Sequence, residues 1–459
     1  MSISFQENEK IFHLRTKSGS YAMQIIASGH LAHLYWGKLI NSELPGDMVV
    51  TNDRAFSPYL ADSPEMKSVL DTVLLEYPGS GNGDFRAPAF QLQYADGSTV
   101  SDMRYVKHSI ISGKPGLPGL PAVYTVDSSE AETLSIVLED KIGKIEVELL
   151  FSVLPEYDVI TRSAKIRNVG EASCNILKAA SVTVDFPDSD YDMVNLSGSW
   201  ARERHIQRHA LHSGNQSVSS TRGTSSHQEH PFLALADKNA DETTGSVYAF
   251  NLVYSGNFLA EAEVESDNRT RVSLGINPFD FRWQLGAGEE FNTPEAVMVF
   301  SDAGFGKMSR IFHKLYRERL CRGKHQFSDR YILINNWEAT YFDFTEDIIV
   351  DMAAEAKKLG VEMFVLDDGW FGKRNTDNCS LGDWVPDPNK LPNGIKGLAE
   401  KVVGMGLKFG LWFEPEMVSK DSDLYRAHPD WCIHVEGRPR TEGRQQLILD
   451  YSRECVRDY

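Results

Sequence analysis

Cysteine is scarce and dispersed in this chain: Cys174, Cys321, Cys379, Cys432 and Cys455 are odd in number, far apart and form no Cys-x-x-Cys pair. Such a set supports neither a disulfide framework nor a zinc site, and it fits a reducing, cytoplasmic compartment. Positive charge is in deficit too. Lys+Arg 47 against Asp+Glu 65 leaves a net charge of −18, which repels phosphate backbones and anionic lipid, so neither nucleic acid nor membrane is expected as a partner. No run of eighteen apolar residues occurs, and the N-terminus has no basic stretch followed by an apolar one, so the expectation is a soluble chain that is not exported. What is present is globular: 41% hydrophobic, 10% aromatic and 24% charged residues, over 459 positions that leave room for two or three domains of roughly 150 residues each.

Up to about residue 300 the chain reads as strands separated by turns. Residues 144–154 and 158–168 alternate with period two on either side of Pro155-Glu-Tyr, which predicts a hairpin in a large antiparallel sheet. Further strands are expected at 90–94, 134–138, 176–184, 245–253 and 271–275, with turns at Asp96-Gly97 and Ile142-Gly143. Many short strands without helices between them predict an antiparallel β-sandwich over 1–300. Three loops, at 51–58, 83–88 and 197–204, mix acids, arginines and aromatics. They either bind something or pair internally and staple themselves to the sheet. Met308, Ile311, Phe312, Leu315, Tyr316 and Leu320 share one helical face, so 305–322 is expected to be a helix, within a linker at 301–330.

From residue 331 the period changes. Strands are expected at 331–335, 361–366 and 407–413, with helices between them. The first helix is capped by Thr345 and ended by Gly360, and the second covers 395–405. Strand, helix, strand, helix, strand begins a parallel α/β barrel or a doubly wound sheet. Each strand then gives way to carboxylates or amides and an indole: Asn335-Asn-Trp-Glu, Asp367-Asp-Gly-Trp and Trp412-Phe-Glu-Pro-Glu. In parallel architectures the carboxyl ends of the strands present side chains to ligands. Two adjacent aspartates, Asp367 and Asp368, repel each other unless hydrogen bonds, a cation or a polyhydroxylated ligand offsets the repulsion. A capped turn is one reading of them. Another is a divalent metal held by Asp367, Asp368, Glu414 and Glu416, although no lysine or histidine base accompanies it at these strand ends. The third is a sugar, whose C–H face stacks on indole while charged groups take its hydroxyls. Five of the eight tryptophans, Trp337, Trp370, Trp384, Trp412 and Trp431, fall in this part; Trp431 and Trp384 are expected to serve core packing.

The runs Asn336-Trp-Glu-Ala-Thr-Tyr-Phe-Asp, Leu366-Asp-Asp-Gly-Trp-Phe-Gly, Gly382-Asp-Trp, Gly410-Leu-Trp-Phe-Glu-Pro-Glu-Met, His428-Pro-Asp-Trp and Gly443-Arg-Gln-Gln-Leu-Ile-Leu-Asp-Tyr, with Tyr254-Ser-Gly-Asn-Phe and Gly275-Ile-Asn-Pro-Phe before them, resemble glycoside hydrolase family 36. These are the larger bacterial α-galactosidases of melibiose and raffinose-type oligosaccharides. The resemblance covers essentially the whole chain and implies a multidomain protein. An N-terminal β-sandwich (1–300) would be followed by the first part of a (β/α)₈ TIM barrel (331–459). It implies a retaining enzyme without cofactor or metal, active on α-galactosides as a homo-oligomer, tetramer or dimer. Asp367 and Asp368 match the pair that binds galactose hydroxyls, Trp337 and Trp412 match pocket aromatics, and Arg444 matches a substrate-binding arginine. Asp53 and Trp200 match sandwich residues that reach a neighbouring subunit's pocket. The family's nucleophile, in a Lys-x-Asp setting, and its acid/base aspartate have no counterpart here. They are expected beyond Tyr459, which makes this chain inactive alone. The alternative is a truncated, non-catalytic galactoside-binding or structural protein.

Overall fold

The computed structural model describes residues 2–50, 58–60, 62 and 70–459. The chain divides into two compact units, Met1–Phe327 and Ser328–Tyr459.

The first unit is built almost entirely of antiparallel strands. The hairpin is there: Ile145–Leu154 and Val159–Asn168 pair along their length across a single turn of 3₁₀ helix at Pro155–Tyr157. It sits inside a ten-stranded sheet whose order runs Arg202–Ala210, Tyr191–Ser199, Glu229–Asp237, Val247–Val253, Glu295–Ser301, then Val159–Asn168 and Ile145–Leu154 of the hairpin, Glu132–Asp140 and Arg104–Ser112, with Glu290–Asn292 pairing off this path with Val159–Asn168. A six-stranded sheet is centred on Thr270–Ile276 and Cys174–Phe186, and a four-stranded meander comprises Ile3–Gln6, Ile11–Arg15, Gly19–Ile25 and Leu31–Lys38. Period-two alternation explains the core. Ile145, Val147, Leu149, Phe151 and Val153 point to one face, where they join Phe12, Tyr21 and Met23 of the meander and Val182, Phe258 and Leu274 of the six-stranded sheet. The meander escapes a reading based on alternation because Gly19–Ile25 is buried at every position.

The opposite face of the large sheet carries small residues, Ala234, Ala236 and Ala249. The helix Gly304–Arg319 lays Met308, Phe312 and Leu315 on them. The segment expected to link two domains therefore packs within the first unit, and full burial of a side chain such as Leu315 stabilises that docking by about 1.5 to 3 kcal/mol. Its entry needs glycine. Gly304 adopts φ +72°, and a Cβ there would lie 2.2 Å from the Asp241 carbonyl oxygen. That close approach lets the Asp241 and Glu242 carbonyls accept the first free N–H groups of the helix, those of Phe305 and Gly306.

The loop at 83–88 is spent on structure rather than on a ligand. Asp84 and Arg86 pair at 2.7 Å, and each reaches a strand of the six-stranded sheet, Arg86 to Asp185 at 3.1 Å and Asp84 to Arg271 at 2.9 Å. Arg271 closes the ring on Asp185 at 2.7 Å. Two acids and two arginines, all buried, thus cancel one another. The loop at 51–58 lies outside the described residues except for Pro58.

His13 is fully buried, with Nε2 2.9 Å from Ser20 Oγ and Nδ1 without a partner among the described residues. Burial and then the charge of Arg15 push its pKa down from 6.5 to about 4. The folded state therefore prefers neutral histidine. Stability is complete above pH 6.5 and declines by roughly 3 kcal/mol as the pH falls towards 4. Chemical denaturation at pH 7 and pH 4.5 should show this loss, and His13→Leu should reduce it, His230, which burial also lowers to about 4, contributing over the same range. An equal loss in that variant would assign the pH dependence elsewhere.

The second unit follows the strand and helix order read from the sequence. Leu333–Asn335, Met363–Leu366 and Lys408–Leu411 pair in parallel in that order. The helices Glu346–Lys358 and Gly394–Gly404 connect them, and the Thr345 hydroxyl accepts the Ile348 N–H as expected of a cap. Ile349, Ala353, Leu398 and Val402 pack on Phe364 and Leu366. Met363 and Val365 are only partly covered, and Leu333 and Ile334 are 51% and 37% exposed, because among the described residues the helices cover a single face of the sheet.

Candidate active site

The carboxyl ends of the three parallel strands hold the site. Asp367 and Asp368 follow Leu366 directly and are treated very differently. Asp367 is partly exposed. It accepts the Asn335 side-chain N–H at 2.8 Å and the Asp368 backbone N–H at 2.7 Å, and its own N–H donates to Asn336 Oδ1 at 2.9 Å. Asp368 is 4% exposed and faces a fully buried guanidinium, with Arg374 Nε 3.0 Å from Oδ1 and Nη2 2.8 Å from Oδ2. This two-pronged pair removes the repulsion that adjacent aspartates would otherwise suffer. Neither a metal nor a simple capped turn is needed to account for it.

Arg374 is itself held on all sides. Its Nη1 donates to the Asp377 and Cys379 carbonyls at 2.8 and 3.0 Å. Buried Lys390 donates to the carbonyls of Gly369 and Arg374 at 2.8 and 3.1 Å, with its ammonium 5.0 Å from the centre of the Phe344 ring. Burial lowers the Lys390 pKa below the usual lysine value, opposed by Asp387 and Asp368. The turn between them requires Gly369, at φ +97°, because a Cβ there would meet the Phe342 ring at 3.1 Å.

The tryptophans divide into two groups. Trp370 is buried and donates Nε1–H to the Trp412 carbonyl at 3.0 Å, so this indole belongs to the core and braces the next strand end. Trp384 lies tilted against it at 6.1 Å in the same cluster, and Trp431 packs in a separate one. Trp412 and Trp337 are partly exposed. Trp412 lies parallel to Phe371 at 6.5 Å, and Trp337 is held edge-on by Tyr341 and Phe342 at 5.2 and 5.1 Å. Trp337 stands on a short helix whose first N–H is accepted by Asn335 Oδ1 at 3.1 Å.

Arg444 sits at the tip of a tight hairpin in which Gly443 and Gln446 exchange backbone hydrogen bonds. Arg444 and Gln445 both have positive φ, +52° and +59°, in a turn that ordinarily takes asparagine and glycine. Strain of this kind costs about 1 to 3 kcal/mol per residue and tends to persist where a side chain must be presented. The guanidinium reaches Asp377 at 3.2 Å, on the loop that also holds Arg374. Nearby, burial raises the Glu414 pKa. Glu416 and Asp368 add to the shift, while Arg444 and Arg374 oppose it.

Asp367, Asp368, Trp337, Trp412 and Arg444 thus all lie at or beyond the strand ends of one unit. Asp53 lies outside the described residues, and Trp200, 85% exposed, sits at the turn between Tyr191–Ser199 and Arg202–Ala210 in the other unit. Sequence reasoning missed Arg374 and Lys390. A usable signal existed, since two adjacent acids call for a cation and Arg374 is the first arginine downstream of them. Among the described residues no group of three or more His, Cys, Asp or Glu is arranged to hold a metal ion.

Known proteins are similar to this chain in sequence and fold. The chain is 55% identical over 459 residues to alpha-galactosidase AgaA of Geobacillus stearothermophilus, covering 100% of this chain and 63% of that protein. The crystal structure of GH36 alpha-galactosidase AgaB from the same organism superposes with a TM-score of 0.96 at 54% identity, over 100% of this chain and 63% of that one. A variant of AgaA in complex with raffinose gives 0.96 at 56% identity, over 98% and 62%. The chain therefore spans less than two thirds of the length of each of these relatives. Residues 29–286 match the glycosyl hydrolase family 36 N-terminal domain and residues 290–459 match melibiase, and with strand ends that carry acids, indoles and a presented arginine, the chain belongs to glycosyl hydrolase family 36.

Proposed function

We propose that the whole protein is a retaining α-galactosidase that removes terminal non-reducing α-D-galactosyl residues from oligosaccharides of the melibiose and raffinose type. The observation that carries this reading is the strand-end constellation, in which partly exposed Asp367, pinned Asp368 and two partly exposed indoles follow neighbouring parallel strands. The alpha-galactosidase relatives, one of them holding raffinose, support it. In this reading the first unit is a sandwich-type domain, and the parallel strands are the first part of a (β/α)₈ barrel. Asp367 and Asp368 accept galactose hydroxyls, Trp337 and Trp412 cover the C–H face, and Arg444 donates to the sugar. Arg374 fixes the Asp368 carboxylate before substrate arrives, so less orientational freedom is lost on binding.

A charge-assisted hydrogen bond contributes about 1.5 to 3 kcal/mol, so Asp367→Asn should weaken galactose binding by roughly ten- to a hundredfold. The measurement is calorimetric titration of the complete protein, made inactive. Unchanged affinity would return Asp367 to a turn-capping role.

Retaining hydrolysis needs two carboxyl groups about 5 to 5.5 Å apart, flanking the bond. Asp367 and Asp368 stand side by side on one strand end, and Asp368 is committed to Arg374. Residues 1–459 by themselves are therefore expected to turn over no aryl α-galactoside. Burial raises the Glu414 pKa and so biases this carboxyl towards its protonated form. Turnover by residues 1–459 that vanishes in Glu414→Gln or Glu416→Gln would overturn this assignment. Soluble chain that binds galactosides without turnover, in a gene that stops at this point, would favour a non-catalytic galactoside-binding protein.

The same reading makes the complete enzyme a cytoplasmic homo-oligomer, a dimer or tetramer, with Asp53 and exposed Trp200 completing a partner's pocket. The exposed indole and the five unpaired cysteines support it. Full activity from a monomer in light scattering would sink the oligomer.

A further inference from the structure

Two motifs singled out in the sequence, Tyr254-Ser-Gly-Asn-Phe and Gly275-Ile-Asn-Pro-Phe, take no part in the strand-end site. Both line one cavity of about 520 Å³ in the first unit, within the range of about 300 to 1,000 Å³ usual for small-molecule sites. We propose that this cavity is a second, non-catalytic binding site for a neutral pyranoside, with Trp283 as its stacking platform.

The aromatics are the first argument. Trp283 begins the short strand Trp283–Leu285, paired with Cys174–Phe186, so its backbone is fixed. Its ring is backed by buried Phe291 at 5.4 Å and is nonetheless 50% exposed; Phe279, on the same cavity, is 69% exposed. Both forgo burial that Phe291 obtains, and a rigid half-open indole is a surface on which a sugar's C–H face can lie. Polar groups are the second argument. The Tyr254 hydroxyl, the Asn257 amide nitrogen, the Asn292 side chain and the Asp280 carboxylate line the cavity without a protein partner among the described residues. They offer acceptors and donors together, as hydroxyls require. Charge is the third. Among the described residues no lysine or arginine lines the cavity; Asp280 does, and the lining Glu290 is already paired with Arg167 at 2.7 Å, so anions are disfavoured and a neutral ligand fits. The site is made wholly of first-unit residues and does not depend on the reading of the strand-end site.

The probe is raffinose, titrated against the 459-residue chain by saturation-transfer NMR. In an Asp367→Asn background, which weakens the strand-end site, binding with a dissociation constant on the order of 1 mM is expected, about tenfold or more weaker when Trp283→Ala is added and several-fold weaker when Asp280→Asn is added. Asp280 has φ +54°, which asparagine tolerates, so the second variant keeps the turn. Asp367→Asn should leave the Trp283-dependent signal in place. The proposal is overturned if no binding is seen, if Trp283→Ala binds as the parent does, or if all binding disappears in Asp367→Asn. Should Trp283→Ala fail to fold, Asp280→Asn decides, and unchanged affinity there overturns the site.

Discussion

Arg374→Met is expected to cost the second unit about 3 to 5 kcal/mol, because it leaves the Asp368 carboxylate buried without its counter-charge. The guanidinium also satisfies two carbonyls, those of Asp377 and Cys379, which would lose their donor at the same time. Urea unfolding followed by tryptophan fluorescence reports on this unit, which contains five of the eight indoles. The double variant Asp368→Leu with Arg374→Met should recover much of the loss, since replacing a buried ion pair by apolar groups of similar size is often neutral or stabilising. It should not recover sugar binding. A single variant within about 1 kcal/mol of the parent would mean that water reaches Asp368 and that the pair is a surface interaction after all.

Asp185→Ala should destabilise the first unit by a similar amount, about 3 to 5 kcal/mol, because Arg86 and Arg271 would then share Asp84 alone in a buried setting. The Leu75 N–H would also lose its acceptor. Burial opposes the Asp185 carboxylate, but Arg271 and Arg86 outweigh it and hold the pKa below the usual 3.8. A lowered folded pKa means that the contribution is complete above pH 3.8 and disappears as the pH falls through the lower folded value. His13 acts earlier, between pH 6.5 and 4. Acid titration of stability should therefore show two stages: the upper one reduced by His13→Leu, with His230 contributing to what remains, and the lower one reduced by Asp185→Ala. A lower stage that survives Asp185→Ala intact would show that this carboxylate is not the one being protonated.

Local pattern carried far in this chain. Alternation placed Ile145–Leu154 and Val159–Asn168 to within a residue, and Thr345 marked a helix start confirmed by its hydrogen bond to Ile348. The change of period near residue 331 separated two kinds of architecture, because the direction of a side chain follows from backbone geometry a few residues long. Contiguous motifs likewise carried the family and put Asp367, Asp368, Trp337 and Trp412 at strand ends. Fully buried strands such as Gly19–Ile25 were illegible, since alternation vanishes when both faces are covered.

Only the tertiary structure decided which charges meet and which indoles are covered. Asp185 and Arg271 are 86 positions apart, and Arg86 and Asp185 are 99 apart; no periodicity links such partners. Trp370 and Trp412 read alike as strand-end indoles, yet the first is buried and the second is partly open, because the turn at Gly369 and the cluster around Phe371 and Trp384 rotate one inward. Asp367 and Asp368 are adjacent and chemically identical, and a single buried guanidinium makes them unequal. The sequence by itself determined the residue types brought to the strand ends; long-range packing, which sets burial and the partner of each charge, decided what each is free to do.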